Sequence, residues 1–298
     1  MKILITGGTG FIGSALIKKL LLQAHQITIL SRNVSKVHKH FAGNVTALTD
    51  LQTLTASDHF DVMINLVGAP IFDKRWSAKQ KKVIRDSRIE LTRQLVQIIA
   101  YMQQKPELLI SGSAIGYYGD QGDTKLTEQS NHIADFSQQL CVDWEHAALQ
   151  AENYGVRVCL MRTGLVLGQG GGLLQRMLLP FKLGLGGPIG NGQQWMSWIH
   201  LQDWITIAET MINDQTMRGA YNATAINPVT NQEFTKTLAE TLNRPAFLPL
   251  PTFVLQILLG EMSELILGSQ RVFPERLNQQ GFKFQFTQLR QTLADILQ

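Results

Sequence analysis

Gly7, Gly10 and Gly13 recur at every third position of the run 3–13. Glycines so spaced, leaving an apolar stretch and opening a helical one, suit a dinucleotide diphosphate. Gly7 allows the tight turn, Gly10 lets backbone amides approach the pyrophosphate, and Gly13 lets the helix pack closely on the strand. The diphosphate then sits at the helix N-terminus, where unpaired N–H groups favour an anion. Thr9, Phe11 and Ile12, interleaved with the glycines, complete the expected cradle. The next apolar stretch ends in Ser31-Arg32-Asn33. It lacks the carboxylate that would accept hydrogen bonds from the ribose of NAD, whereas an arginine suits a 2′-phosphate. Ser31 and Arg32 therefore predict NADP(H) as the cofactor.

A cradle needs elements to hold it. Lys2–Thr6, Gln26–Leu30, 62–66, 108–111 and 157–162 read as buried strands. Between them 11–23, 78–102 and 135–153 carry apolar residues at helical spacing. Such alternation predicts an α/β fold, a doubly wound parallel sheet of Rossmann type with a smaller, discontinuous substrate lobe. The glycine-rich stretch 164–192 is expected as loop lining a cleft, 199–212 as helix, and 219–222 as a short strand. From Asn231 onward the chain reads mostly as helix, broken at Pro245, Pro249 and Pro251. Residues 1–165 with 195–222 are assigned to the cofactor domain, and 166–194 with 223–298 to the substrate lobe.

The 298 residues, 44% apolar and 17% charged, describe a globular chain rather than a disordered one. The net charge of +4 is scattered. It suits an anionic small ligand and gives no nucleic-acid footprint. Two cysteines, Cys141 and Cys159, exclude a disulfide scaffold and favour a reducing compartment. The first residues lack a signal peptide's apolar stretch, and the longest apolar region, 253–268, is broken by Gln256, Glu261, Ser263 and Glu264. The expectation is a soluble, cytoplasmic monomer or homodimer that does not engage a membrane. No Cys/His/Asp cluster has metal-ligand spacing and no G-x-S-x-G is present, so neither a metal site nor a hydrolase is expected.

The G-x-x-G-x-x-G spacing resembles the extended short-chain dehydrogenase/reductase superfamily. Asn65-Leu66-Val67-Gly68-Ala69-Pro70 resembles the loop after its fourth strand, implying cofactor contacts at Leu66, Val67 and Gly68. Ser111-Gly112-Ser113-Ala114 followed by Tyr117-Tyr118-Gly119 resembles the segment bearing the active-site serine, here Ser113. The stretch from Gly190 to Asp203 also resembles the superfamily. Asp73-Lys74-Arg75-Trp76, Ser87-Arg88, Gly116-Tyr117-Tyr118-Gly119-Asp120 and Leu267-Gly268-Ser269-Gln270-Arg271 resemble the narrower YfcH-like group over essentially the whole chain. Members are sugar-nucleotide-epimerase-related and atypical, with their own C-terminal extension. The resemblance implies NADP(H) binding with Arg88 and Arg162 on the cofactor side.

The chain departs from the superfamily at its usual proton relay. Tyr-x-x-x-Lys puts both side chains on one helix face, where lysine lowers the tyrosine's pKa. Here the pair becomes Phe136/Leu140 or Ser137/Cys141, and the resemblance favours the second. In one reading Ser113 orients a substrate carbonyl while Tyr117 or Cys141 moves the proton, Cys141 only if Arg88 lowers its pKa. In another the protein is a catalytically silent NADPH sensor. In a third Cys141 is core, one step off the stripe Phe136, Leu140, Trp144, Ala147 and Ala151. Cys159 reads as core outright. Arg162 either binds an anionic substrate or pairs with a carboxylate. If Lys74, Arg75 and Arg88 converge, the substrate is acidic or phosphorylated. His200 reads as a partly buried histidine paired with Asp203. The expected function is an oxidoreductase or redox-assisted epimerase acting on a small, anionic molecule.

Overall fold

Side-chain alternation along the strands fixes the architecture. Ile3 and Ile5 join one core cluster while Leu4 joins another. Val62 and Ile64 part from Met63 in the same way, and Cys159 and Met161 from Val158 and Leu160. A strand apolar on both faces must be covered on both faces, which is the habit of parallel sheets. The computed structural model, which describes residues 1–298, has such a sheet.

Its strands are β1 (Lys2–Thr6), β2 (Gln26–Leu30), β3 (Thr46–Leu48), β4 (Val62–Asn65), β5 (Leu108–Ala114), β6 (Arg157–Thr163) and β7 (Gly219–Ala223). They lie in the order β7-β6-β5-β4-β1-β2-β3, every pair parallel. The order reverses between β1 and β4, the switch point at which such sheets bind ligands. The expected doubly wound fold is therefore present. Sequence reading missed β3 and the short helix before it.

Helices α1 (Phe11–Leu22), α2 (Val34–Phe41) and α6 (Leu201–Asn213) cover one face through Leu16, Ile17, Val37 and Trp204. Helices α3 (Ala78–Tyr101) and α4 (Phe136–Leu149) cover the other through Leu95, Ile99 and Ala148. A third cluster joins α5 (Gly172–Lys182), α7 (Asn231–Leu242) and α11 (Leu289–Leu297). Shorter helices α8 (Thr252–Leu259), α9 (Glu264–Leu267) and α10 (Glu275–Gln279) complete the chain. Leu277 and Phe282 return to the first cluster beside the sheet.

Two expectations change. The stretch 164–192 is not all loop, because α5 lies inside it. Its run Leu-Leu-Gln-Arg-Met-Leu-Leu consists of good helix formers, which outweigh the flanking glycines. The helix expected from 199 begins at Leu201, because Trp198–His200 is a strand paired with Leu165–Leu167. No helix is long and apolar enough to cross a membrane.

Candidate functional site

The loop after β1 is shaped by what its glycines lack. Gly7 has φ +71°, and a Cβ there would lie 2.5 Å from the Leu66 carbonyl oxygen. A Cβ on Gly13 would lie 2.5 Å from the Gly7 oxygen. The Gly10 N–H donates to Gly7 O at 3.0 Å and closes the turn. Gly10 caps α1 without a side-chain hydrogen bond, so no side chain shields the first-turn amides. Bare backbone, an uncapped helix N-terminus and the neighbouring β4 loop together fit a dinucleotide diphosphate. Thr9, Phe11 and Ile12 are half-buried around this concavity. The Phe11 ring packs under Gly171, where a Cβ would come within 2.4 Å of it.

Arg88 holds the β4 loop from beneath. A Cβ on Gly68 would meet its guanidinium at 2.7 Å, and its Nη1 donates to Ala69 O and Ile84 O. Burial lowers its pKa to about 10, which leaves it charged at neutral pH. Leu66, Val67 and Gly68 thus form a braced segment against the cradle. At the end of β2, the Ser31 hydroxyl accepts from the Asn33 N–H, and Asn33 caps α2. Arg32 is exposed and has no hydrogen-bond or ion-pair partner within the chain.

At the carboxyl ends of β5, β6 and β7, Ser113, Arg162 and Asn222 stand in register. They share the face covered by α4. Ser113 Oγ donates to Glu145 Oε1 at 2.6 Å, the only direction open to a carboxylate partner. Arg162 grips the same carboxylate with Nε at 2.8 Å and Nη2 at 2.9 Å, both side chains being almost fully buried. Its Nη1 donates to the Tyr118 hydroxyl, which donates in turn to Asn222 Oδ1. The Tyr117 ring lies 3.3 Å from the guanidinium carbon. Burial alone would lower the Arg162 pKa, but the hydrogen-bonded carboxylate outweighs it and raises it. Burial pushes Tyr118 up to about 12.

Several expectations are corrected here. Arg162 pairs with a carboxylate and has its nitrogens committed within the protein, so it does not reach out to cofactor or substrate. Ser113 is buried with its hydrogen on Glu145, which leaves only its lone pairs for a further hydrogen bond. It can accept from a substrate hydroxyl but cannot donate to a carbonyl without breaking that bond. Ser137 and Cys141 do face the Ser113 segment: a Cβ on Gly116 would lie 3.2 Å from Ser137 Cβ and 3.8 Å from Cys141 Sγ. Yet Cys141 is buried, and burial, aided by the Glu145 carboxylate, pushes its thiol up to about 12 despite Arg88. The condition for its acting as an acid is unmet. Cys159 is fully buried, its thiol donating to Met217 O.

The basic residues are dispersed. Arg88 sits beneath the loop, Arg75 lies against Gly260, and Lys74 is exposed. His200 pairs through Nε2 with Asp295 at 3.2 Å and stacks on Phe286, not with Asp203. Asp203 instead accepts from the Gln285 and Phe286 N–H groups. No group of three His, Cys, Asp or Glu side chains is placed to hold a metal. Glu145 and Tyr118 were missed as network members. The available signal was a carboxylate four residues beyond Cys141, set beside Trp144 in an apolar stripe.

Residues 3–224 match the model of the NAD dependent epimerase/dehydratase family, and residues 250–296 match a domain of unknown function (DUF1731). The chain is 38% identical over 302 residues to epimerase family protein YfhF of Bacillus subtilis, covering 100% of this chain and 98% of that one. It is 38% identical over 305 residues to the chloroplastic SDR39U1 homolog of Arabidopsis thaliana, covering 100% and 87%. The crystal structure of human epimerase family protein SDR39U1 (isoform 2) with NADPH is similar at TM-score 0.91 and 34% identity, over 99% of both chains.

Proposed function

The chain belongs to the NAD dependent epimerase/dehydratase family, and on that premise we propose that it is an NADP(H)-dependent oxidoreductase or redox-assisted epimerase acting on a small, anionic substrate. The observation that carries this reading is the bare-glycine cradle at the β1/β4 switch point, with unpartnered Arg32 at the end of the next strand. The similar human protein, crystallised with NADPH, supports the cofactor assignment.

The backbone of Gly7, Gly10 and Gly13, with Thr9, Phe11 and Ile12 around it, holds the diphosphate. Ser31 and Arg32 hold the 2′-phosphate, Arg32 as a bidentate clamp. Leu66, Val67 and Gly68 border the cofactor, braced by Arg88. The bound nicotinamide would supply or accept a hydride. Ser113, oriented by Glu145, accepts a hydrogen bond from a substrate hydroxyl and so fixes the carbon that bears it. Tyr117, the half-buried phenol whose ring packs on the Arg162 guanidinium, is the proton-transfer group. Residues 1–165 with 195–222 carry the cofactor, and 166–194 with 223–298 close over the substrate. The net charge of +4 supports an anionic substrate, and two unpaired, buried cysteines support a cytoplasmic setting.

A second reading, an NADPH-binding sensor without turnover, is favoured by one observation: α4 carries no Tyr-x-x-x-Lys, and Ser137 and the buried Cys141 stand in its place. Isotope tracing separates the two. NADPH deuterated at the transferable position is incubated with the protein and a metabolite extract. Deuterium entering one metabolite, and failing to do so with Ser113→Ala, supports the enzyme. Tight binding with no transfer contradicts an oxidoreductase and leaves the sensor, or an epimerase that returns its hydride within the site, which a scan for epimerised metabolites distinguishes.

A further inference from the structure

The motif 267–271 meets the motif 116–120 in space. The Ser269 N–H donates to Asp120 Oδ1, the Gln121 N–H to Ser269 O, and the Ser269 hydroxyl to Gly122 O. Arg271 follows in the short strand Arg271–Val272, parallel to Lys125–Leu126. Val272 packs with Tyr117 and Tyr118, so strand alternation turns Arg271 the other way. There its guanidinium carbon lies 4.1 Å from the centre of the Trp195 ring. Its Nη1 donates to Asp123 Oδ1 at 3.2 Å, and the Trp195 indole donates to the same oxygen at 2.7 Å. Neither Nε nor Nη2 has a partner within the chain, and Nε is buried.

We propose that Arg271 holds the anionic group of the substrate, a carboxylate or a phosphate, through Nε and Nη2, an assignment that rests on the anionic substrate proposed above. A buried N–H left without a partner costs stability and calls for one. Nε and Nη2 point the same way in the guanidinium plane, the edge that matches two oxygens of a carboxylate or phosphate. The side chain is 25% exposed, so an oxyanion arriving at Nη2 satisfies Nε in the same step. The stack on Trp195 and the bond to Asp123 hold the guanidinium plane in place, which lowers the entropy lost on binding. Asp123 is 79% exposed, so its charge is screened and cancels only part of the arginine's. Lys125 lies over the Phe273 ring, 5.9 Å from its centre, as does Arg271, and adds a second cation. Arg271 falls within 223–298, the part assigned to the substrate, next to the residue that packs on Tyr117.

The test uses the full chain saturated with NADPH, so that the cradle and Arg32 are occupied. Inorganic phosphate and acetate are titrated separately at constant ionic strength and read by the Trp195 indole N–H resonance, assigned with Trp195→Phe. The expected result is a saturable shift with at least one anion, and which one responds separates phosphate from carboxylate. Arg271→Gln should weaken that anion at least roughly tenfold with circular dichroism unchanged, and Arg271→Lys should recover only part of the loss. Asp123→Asn, at an exposed position, should tighten the anion about threefold, and this variant decides the matter if Arg271→Gln does not fold. No saturable shift with either anion would overturn both this assignment and the anionic substrate. Binding undiminished in Arg271→Gln, or unchanged in Asp123→Asn, would overturn the arginine alone. A chain that NADPH does not saturate would contradict the cofactor reading, while the same anion titration still decides Arg271.

Discussion

Glu145 ties Ser113 to Arg162. It accepts from Ser113 and binds Arg162 through both carboxylate oxygens, out of contact with water. Removing one partner of such a pair leaves a buried, uncompensated charge. Glu145→Gln should therefore cost about 3–5 kcal/mol in urea unfolding, and a loss below 1 kcal/mol would contradict the buried pairing. The raised thiol pKa values give a second prediction. With Cys141 pushed up to about 12 and Cys159 to about 11 by burial, neither should react with Ellman's reagent at pH 8 until the protein unfolds. A fast-reacting native thiol would restore Cys141 as a candidate acid. His200 supplies a pH dependence. Burial lowers its pKa below the ordinary 6.5, against the opposing pull of Asp295 and Asp203. The unfolded chain then binds its proton more readily, so this contribution is intact above about pH 6.5 and is lost as pH falls through the folded value. The urea midpoint should drop between pH 7 and about pH 5.5, and His200→Gln should flatten that drop.

Gly13 shows how far an element depends on one missing atom. Its hydrogen lets α1 close onto the Gly7 carbonyl, and any Cβ would force helix and turn apart. Gly13→Ala should cost about 1–3 kcal/mol of stability and weaken NADPH binding at least roughly tenfold. Fluorescence titration of NADPH would check the second figure, and unchanged affinity would refute the cradle as drawn. The strands that position this turn were legible because their residues are apolar at every step, as burial on both faces requires. Helix α5 was not legible, since glycines on both sides mask a run of only 11 residues. Glu145 was hidden for another reason. Sequence shows its spacing from Cys141, but only the placement of α4 over β5 and β6 shows that Ser113 and Arg162 converge on it. Likewise His200 looks paired with its neighbour Asp203, while the partner it has, Asp295, comes from the far end of the chain.

Across the whole molecule, the parallel sheet gathers the residues proposed for binding at its strands' carboxyl ends. The cradle lies at the β1/β4 crossing, and Ser113, Arg162 and Asn222 lie side by side on β5, β6 and β7. Family membership agrees with the resemblance read from 73–76, 87–88 and 116–120. That resemblance located the departure at the Tyr-x-x-x-Lys position without revealing what stands there instead. We infer that this carboxyl edge holds a dinucleotide bearing a 2′-phosphate. That is tested most directly by titrating NADPH and NADH against the wild type and Arg32→Ala. A charge-assisted hydrogen bond contributes about 1.5–3 kcal/mol, or roughly ten- to a hundredfold in affinity. The wild type should favour NADPH by that margin, and Arg32→Ala should lose it while leaving NADH affinity unchanged. Equal affinities for the two cofactors, or an undiminished NADPH affinity in Arg32→Ala, would contradict the account.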